Sequence, residues 1–509
     1  MGQTKEHRNV SFGKLKSVSS EDRENRMQPL SPVSHMEIDM SHVQQKRKVS
    51  DRVAYGQEES FLGYLVHSTK EVLLGSKMNV LMLLTPLAYI VDASGSDHNH
   101  GAVFLLSLSA IVPFAERLGY VTEQLAMHTN DTLGGLLNAS FGNATEVIIS
   151  LFALLKARPD QANAVMYQRL VLVSMLGSVL SNLLFVFGSA LLVGGMRYKR
   201  QHFNRSGASV SSALLLVSCA AYASPYILTY SKVVSADNIL VFSRVVAALL
   251  FVVYFFFLFF QLKTHRFFYE NDTPTSPPAR ARRQGGFMPV RKSSDRLDST
   301  EFNGTDFGVS NRLRAIPDAE EGYFSPSPGA TTPTSEISAE DGFSNSDDDD
   351  ELVLGFVTAL VWLGIISAFI SFLSDLLVKA VKGTTISWGL ANEFIGIILI
   401  PVVGNAAEHA SAVVFAYRNK MDIALGVALG SATQIAVSVL PFCILLAWGM
   451  KVPLTLTFQP FEILSLLIAV LTVSVVVQNG SSHWLHGVVL ICVYIMLTVA
   501  FALHENTEP

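Results

Sequence analysis

The sequence predicts an all-α polytopic membrane protein: about eleven transmembrane helices, built as two inverted-topology five-helix repeats plus one extra N-terminal helix. Three observations lead there. The 509 residues are 50% hydrophobic and 16% charged, with a mean hydropathy of +0.37, whereas soluble domains carry about a quarter charged residues. The apolar residues are clumped, around 102–119, 166–194, 237–262 and 352–373, into runs near the roughly 20 residues that span a bilayer. One unusual polar string also occurs twice inside such runs.

Residues 1–70 read as a cytosolic N-terminal tail, mostly disordered: the first 55 are rich in Ser, Gln and charge, with a basic knot at Lys46-Arg47-Lys48. The first long apolar run begins only near Lys77, so a secretory signal is not indicated. Ser60 is placed to cap a short amphipathic helix lying in the interface from Phe61 to Leu74. Membrane segments fall near 77–92, 102–119, 131–157, 164–194, 208–230, 237–262, 352–381, 386–417, 422–448, 455–477 and 483–504, the first of them short for a full span. They divide into a first half, 77–262, and a second, 352–505, around a cytosolic loop, 263–351, dense in Pro, Ser, Asp and Arg.

Charge placement orients the chain. With the N-terminus in the cytosol, Arg197, Lys199, Arg200 and Arg205 fall inside, as do Arg280, Arg282, Arg283, Arg291, Lys292 and the pair Arg418 and Lys420. The loop Asp92–His100 has no Lys or Arg and falls outside. An odd number of spans then leaves the C-terminus on the luminal side. The net charge of −5 averages polar tails with apolar spans, and Cys219, Cys443 and Cys492 form neither a paired spacing nor a thiolate site.

The repeated string is Phe141-Gly142-Asn143-Ala144-Thr145-Glu146 and Val403-Gly404-Asn405-Ala406-Ala407-Glu408. Leu176-Gly177-Ser178-Val179-Leu180-Ser181 follows the first and Leu429-Gly430-Ser431-Ala432-Thr433-Gln434 the second; Thr122-Glu123 and Ser374-Asp375 precede them. Three landmarks in one order argue for duplication. The first string lies in the third span and the second in the eighth, so the two run in opposite directions, the arrangement of many secondary transporters with a midplane site.

Glu146 and Glu408 are ionisable groups in apolar spans, which costs about 2.5–3.5 kcal/mol each even on a lenient scale. Their spans supply no basic residue except Lys156, near a membrane edge. Oxygen donors surround them instead. Asn143 and Asn405 lie three residues before the carboxylates, on the same helix face. Gly142 and Gly404 permit a break that frees carbonyls, and Pro401 loosens the second helix further. Carboxylates, amides and carbonyls without thiolates suit a hard divalent cation: Ca2+ takes about six to eight oxygens in irregular geometry, and Mn2+ also fits such a cage.

Two close buried carboxylates repel each other and burial favours their neutral forms, so one divalent cation or two protons discharges the pair. That makes H+ the expected coupling ion. Ser178, Ser181, Ser431 and Gln434 stand at matching places on the adjacent helices, either as ligands or as helix-packing residues. Asn138 is placed to line the first repeat's pathway. His409 is either a proton relay or the residue that holds Glu408 in place. Glu123 and Asp375 are either gating carboxylates or solvated helix ends. The run Asp347-Asp348-Asp349-Asp350-Glu351 closes the cytosolic loop as a solvated acidic run or a local enricher of cations.

The string Gly134-Gly135-Leu136-Leu137-Asn138-Ala139 leading to Gly142-Asn143-Ala144-Thr145-Glu146 resembles the first signature of the calcium/proton exchangers, members of the calcium/cation antiporter superfamily. Gly404-Asn405-Ala406-Ala407-Glu408-His409 resembles their second. The resemblance spans roughly 60–505, and the Ser-rich tail and acidic-ended loop look like a fungal vacuolar member. It implies eleven helices, a cation site where the signature helices cross, and movement of Ca2+ from cytosol into the vacuole in exchange for H+. It also implies that Glu146 and Glu408 are the essential carboxylates, supported by Asn143, Asn405, Ser431 and Gln434.

On this reading the chain is a transporter, not an enzyme: no P-loop, nucleophile–His arrangement or HExxH occurs. It needs no cofactor; its partners are its substrate ions and the bilayer, with no nucleic acid. A Na+/Ca2+-type exchanger and, behind it, a cation channel remain the alternatives.

Overall fold

The computed structural model describes residues 61–95, 99–129, 131–158, 163–265 and 352–503. The tail before Phe61, the loop containing Asp347–Glu351 and the segment His504–Pro509 lie outside the described residues. Fourteen helices follow in order among the described residues: α1 (Phe61–Leu74), α2 (Lys77–Ala93), α3 (His100–Met127), α4 (Asp131–Phe141), α5 (Ala144–Lys156), α6 (Ala164–Arg197) and α7 (Arg205–Tyr230). Then come α8 (Ala236–Thr264), α9 (Phe356–Trp388), α10 (Asn392–Gly404), α11 (Ala406–Tyr417), α12 (Met421–Gly449), α13 (Pro460–Val477) and α14 (Trp484–Ala502). Two short strands, β1 (Gln201–His202) and β2 (Ser481–Ser482), pair antiparallel.

Eight of these helices are long and apolar enough to cross a membrane, and ten spans result if each bent pair, α1–α2 and α10–α11, counts as one. The expected eleventh, 131–157, is the pair α4–α5. Its helices have 11 and 13 residues, each too short alone for a hydrocarbon core of about 30 Å at about 1.5 Å per residue. The short first segment begins with 3-10 turns over Lys77–Leu83 and is capped by Ser76, which accepts from the Met78 amide. The bend of 89° before it turns α1 across the start of α9, where the Tyr64 hydroxyl accepts from the Gly355 amide at 2.7 Å and bonds Thr358.

The helix α6 is the hub. In its most apolar window 94% of residues are buried, against 28% in α8, α9 and α14, whose apolar faces are left for lipid. Matching helices of the two repeats pack on one another: α3 on α9, and α6 on α12. Aligning Leu176-Gly177-Ser178 with Leu429-Gly430-Ser431 also matches local geometry, because the π-helical turn Ser181–Val186 in α6 meets the π-helical turn Ile435–Val439 in α12. Such turns insert one residue per turn and rotate the side chains that follow. The duplication read from the strings is therefore a duplication of backbone distortion too.

The halves approach closely where α6 crosses α10. A Cβ on Gly177 would lie 2.3 Å from the Ile397 carbonyl oxygen, and one on Gly396 2.3 Å from the Val173 side chain. Glycine at both positions lets the two backbones meet, which brings the helix of the first half against the broken helix of the second. Gly177→Ala is expected to lose roughly 1–3 kcal/mol through overpacking, read as a lowered melting temperature of the purified protein. Gly119→Ala in α3, with nothing within 4 Å, is expected to be neutral or slightly stabilising.

Candidate cation site

Both signature strings break their helix at the same place. Asn143 (φ −110°, ψ 24°) separates α4 from α5, and Asn405 (φ −89°, ψ 16°) separates α10 from α11 with a bend of 53°. Glu146 and Glu408 then each fall at the third residue of the following helix. The free amides of a helix's first turn carry partial positive charge, which favours a carboxylate there. The break thus exposes backbone groups and sets an acid beside them in each half.

Glu146 is buried at 7% exposure; Glu408 is half-buried, but its Oε2 is enclosed with no hydrogen-bond partner. Among the described residues no Lys, Arg or His forms an ion pair with either. Lys156, the one basic residue of the α5 span, is turned to Asp375 at 3.1 Å. No cluster of three or more His, Cys, Asp or Glu suited to a metal occurs among the described residues, so any cation here relies on the two carboxylates and neutral oxygens.

The two asparagines reach across to the opposite half. Asn143 Nδ2 donates to Gln434 Oε1 at 2.9 Å, and Ser431 Oγ donates to Asn143 Oδ1 at 3.0 Å. Asn405 Nδ2 donates to the Ser178 carbonyl at 3.4 Å. Because Ser178 and Ser431 occupy matching places, this is a crossed, symmetric clasp between the helix break of one half and the long helix of the other. The arrangement brings together Glu146, Asn143, Ser178, Asn405, Ser431 and Gln434.

The symmetry stops at the oxygens. Asn143 has both ends of its amide engaged, whereas Asn405 keeps a buried Oδ1 with no partner. Asn182, not singled out from the sequence, donates its Nδ2 to Ser431 Oγ at 3.1 Å and leaves its own Oδ1 buried and unpartnered at 0% exposure. The Ser181 Oγ is likewise buried and unpartnered. Unmet acceptors in an apolar interior are costly. A polar Asn beside Ser181 was the available signal for Asn182, hidden because it has no counterpart in the second string.

A narrow cavity adjoins Glu146, lined by Thr145, Ile149, Ser174, Met175 and Ser178 from the first half and Ile400, Pro401 and Gly404 from the second. Nothing lies within 4 Å of a Cβ built on Gly404, which keeps this wall open. Gly142 is exposed and Glu408 is not part of the lining. His409 points elsewhere: its Nε2 lies 3.1 Å from Ser189 Oγ, and its ring packs 4.5 Å from that of Phe185 on α6.

Two broken helices, one from each inverted repeat, each with a glutamate in the first turn after its break, are the arrangement of a secondary-transporter scaffold. The chain belongs to the family described as sodium/calcium exchanger protein, whose model matches residues 99–263 and 358–503. It is 36% identical over 450 residues to vacuolar cation/proton exchanger 5 of Arabidopsis thaliana, covering 87% of this chain and 84% of that one. To vacuolar cation/proton exchanger 1a of Oryza sativa subsp. japonica it is 38% identical over 447 residues, covering 86% and 82%. Its fold is similar to the crystal structure of the Ca2+/H+ antiporter protein YfkE, with a TM-score of 0.58 and 25% identity over 84% of this chain and 100% of that chain. The H+/Ca2+ exchanger CAX shares the fold at a TM-score of 0.52, over 84% of this chain and 91% of that one.

Ser431→Ala removes the centre of the Asn182–Ser431–Asn143–Gln434 string, at about 1–3 kcal/mol for the groups left unpaired. Asn405→Ala removes a free oxygen without breaking that string. The first is therefore expected to lower thermal stability and the second to weaken cation binding with less loss of stability, checked by melting curves alongside calcium-concentration dependence of uptake.

Proposed function

We propose that this chain is a vacuolar antiporter that moves Ca2+ out of the cytosol in exchange for H+, by alternating access at the Glu146–Glu408 site. The observation that carries the reading is one glutamate per half, Glu146 buried and Glu408 with an enclosed, unpartnered Oε2, neither with a basic counter-ion among the described residues. Similarity to plant vacuolar cation/proton exchangers and to a Ca2+/H+ antiporter supports both the exchange and the address.

The chemistry is a charge exchange. One Ca2+ neutralises two carboxylates, and Asn405, Asn182, freed carbonyls and the neighbouring hydroxyls extend the shell toward the roughly six to eight oxygens that this ion takes. Two protons neutralise the same pair. The empty pair carries two negative charges into a low-dielectric interior, which is costly. Loaded forms therefore cross and the empty form does not, so movement of one ion is tied to return of the other. Asn143, Ser431 and Gln434 hold the break of the first half against the second, while Gly142 and Gly404 let the backbone open there. On this reading His409 influences Glu408 through the chain rather than as a ligand. Mn2+ fits the same oxygens.

Sealed vesicles containing the purified protein test this. Radiolabelled calcium uptake is expected when the vesicle interior is acidic and is expected to collapse with a protonophore; uptake driven by a sodium gradient instead would replace the proton reading with a sodium one. Glu146→Gln and Glu408→Gln are each expected to abolish uptake, and substantial flux in either would reject the two-carboxylate site.

A further inference from the structure

Among the described residues, every ion pair joining the two halves sits at one end of the bundle, where α5 stops and α6 starts. Lys156, in the last turn of α5, reaches Asp375 of α9 at 3.1 Å. Arg169, near the start of α6, reaches Glu393 at the start of α10 at 3.5 Å and Glu462 in the first turn of α13. At the opposite end the halves are joined by hydrogen bonds: Gln201 Nε2 donates to the Ala416 carbonyl at 2.8 Å, and the Asn204 amide to Asp422 at 2.6 Å.

The two sets of ion pairs differ in what their rupture would leave. The Glu462 side chain is 1% exposed, and its Oε2 also accepts from the Gln459 amide at 2.8 Å. Pulling Arg169 away strands a buried carboxylate, the costly way to open a contact. Lys156 and Asp375 are 21% and 29% exposed. Asp375 is also held on its other oxygen by Lys379, one turn along its own helix. Lys156 can therefore leave without orphaning Asp375. The cavity beside Glu146 runs along α5 and α6 through Ile149, Ser174 and Met175, toward this same end.

We propose that the Lys156–Asp375 bridge is the latch of a gate closing the Glu146 cavity at this end, and that Arg169 with Glu393 and Glu462 is the fixed joint about which it opens. The proposal deepens the antiport reading and rests on it. Opening slides α5 off α9 while Asp375 passes to Lys379; closing restores Lys156. These are positioning residues, acting on access rather than touching the ion in its site.

The test uses the full chain in vesicles, with the exposed Cys492 changed to Ser. Ser174→Cys puts a thiol on the cavity wall, and a membrane-impermeant thiol reagent is applied on the side where α5 ends. Adding Lys156→Gln is expected to speed labelling several-fold; unchanged labelling would overturn the latch. Separately, Lys156→Cys with Asp375→Cys, joined by a short reducible crosslinker, is expected to lose nearly all exchange and regain it on reduction. Exchange at the unlinked rate with crosslinking complete would also overturn it. Labelling requires no ion flux, so absence of proton-driven uptake in the unaltered chain would sink the functional reading while this assay still reports on the gate.

Discussion

A carboxylate held away from water has to be met by a cation, by donors or by a proton, and the rest of this bundle is arranged around that demand at Glu146 and Glu408. Helix breaks put both acids in the first turn of a helix, where the backbone favours them. The bundle's fixed positive charges are spent elsewhere, Lys156 on Asp375 and Arg169 on Glu393 and Glu462. Had Lys156 pointed inward, the pair would have had a permanent counter-ion. Its place in the last turn of α5, about 15 Å along the helix axis from Glu146, keeps it out.

Distortion of regular helix accompanies both repeated strings. Breaks fall at Asn143 and Asn405, and π-helical turns at Ser181–Val186 and Ile435–Val439, immediately after the serines that the opposite half's asparagine contacts. Each costs some regular hydrogen bonding, tolerable in a membrane only where neighbouring helices make up the loss. The close crossing at Gly177 and Gly396 provides that enclosure.

The halves are alike in backbone and unlike in side-chain roles. Asn143 is fully occupied by Ser431 and Gln434, whereas its counterpart Asn405 retains a free oxygen. Asn182 supplies a second free oxygen, and the place it would match on α12 is the apolar Ile435. Duplication followed by divergence has thus kept the crossed clasp and redistributed the remaining acceptors.

The membrane class, the duplication and the helix breaks at the repeated strings were legible in the amino-acid order, because hydropathy and repeated strings are local properties of a chain. The helix from Phe61 to Leu74 was legible for the same reason. What a one-dimensional pattern does not contain is direction. That Asn143 crosses to Ser431 and Gln434, that His409 turns to Ser189, that Asn182 keeps an unmet oxygen and that Lys156 faces Asp375 all depend on the rotation of one helix against another. The tertiary packing decided those, since a helix-spaced residue acquires a neighbour only when another surface is laid against it.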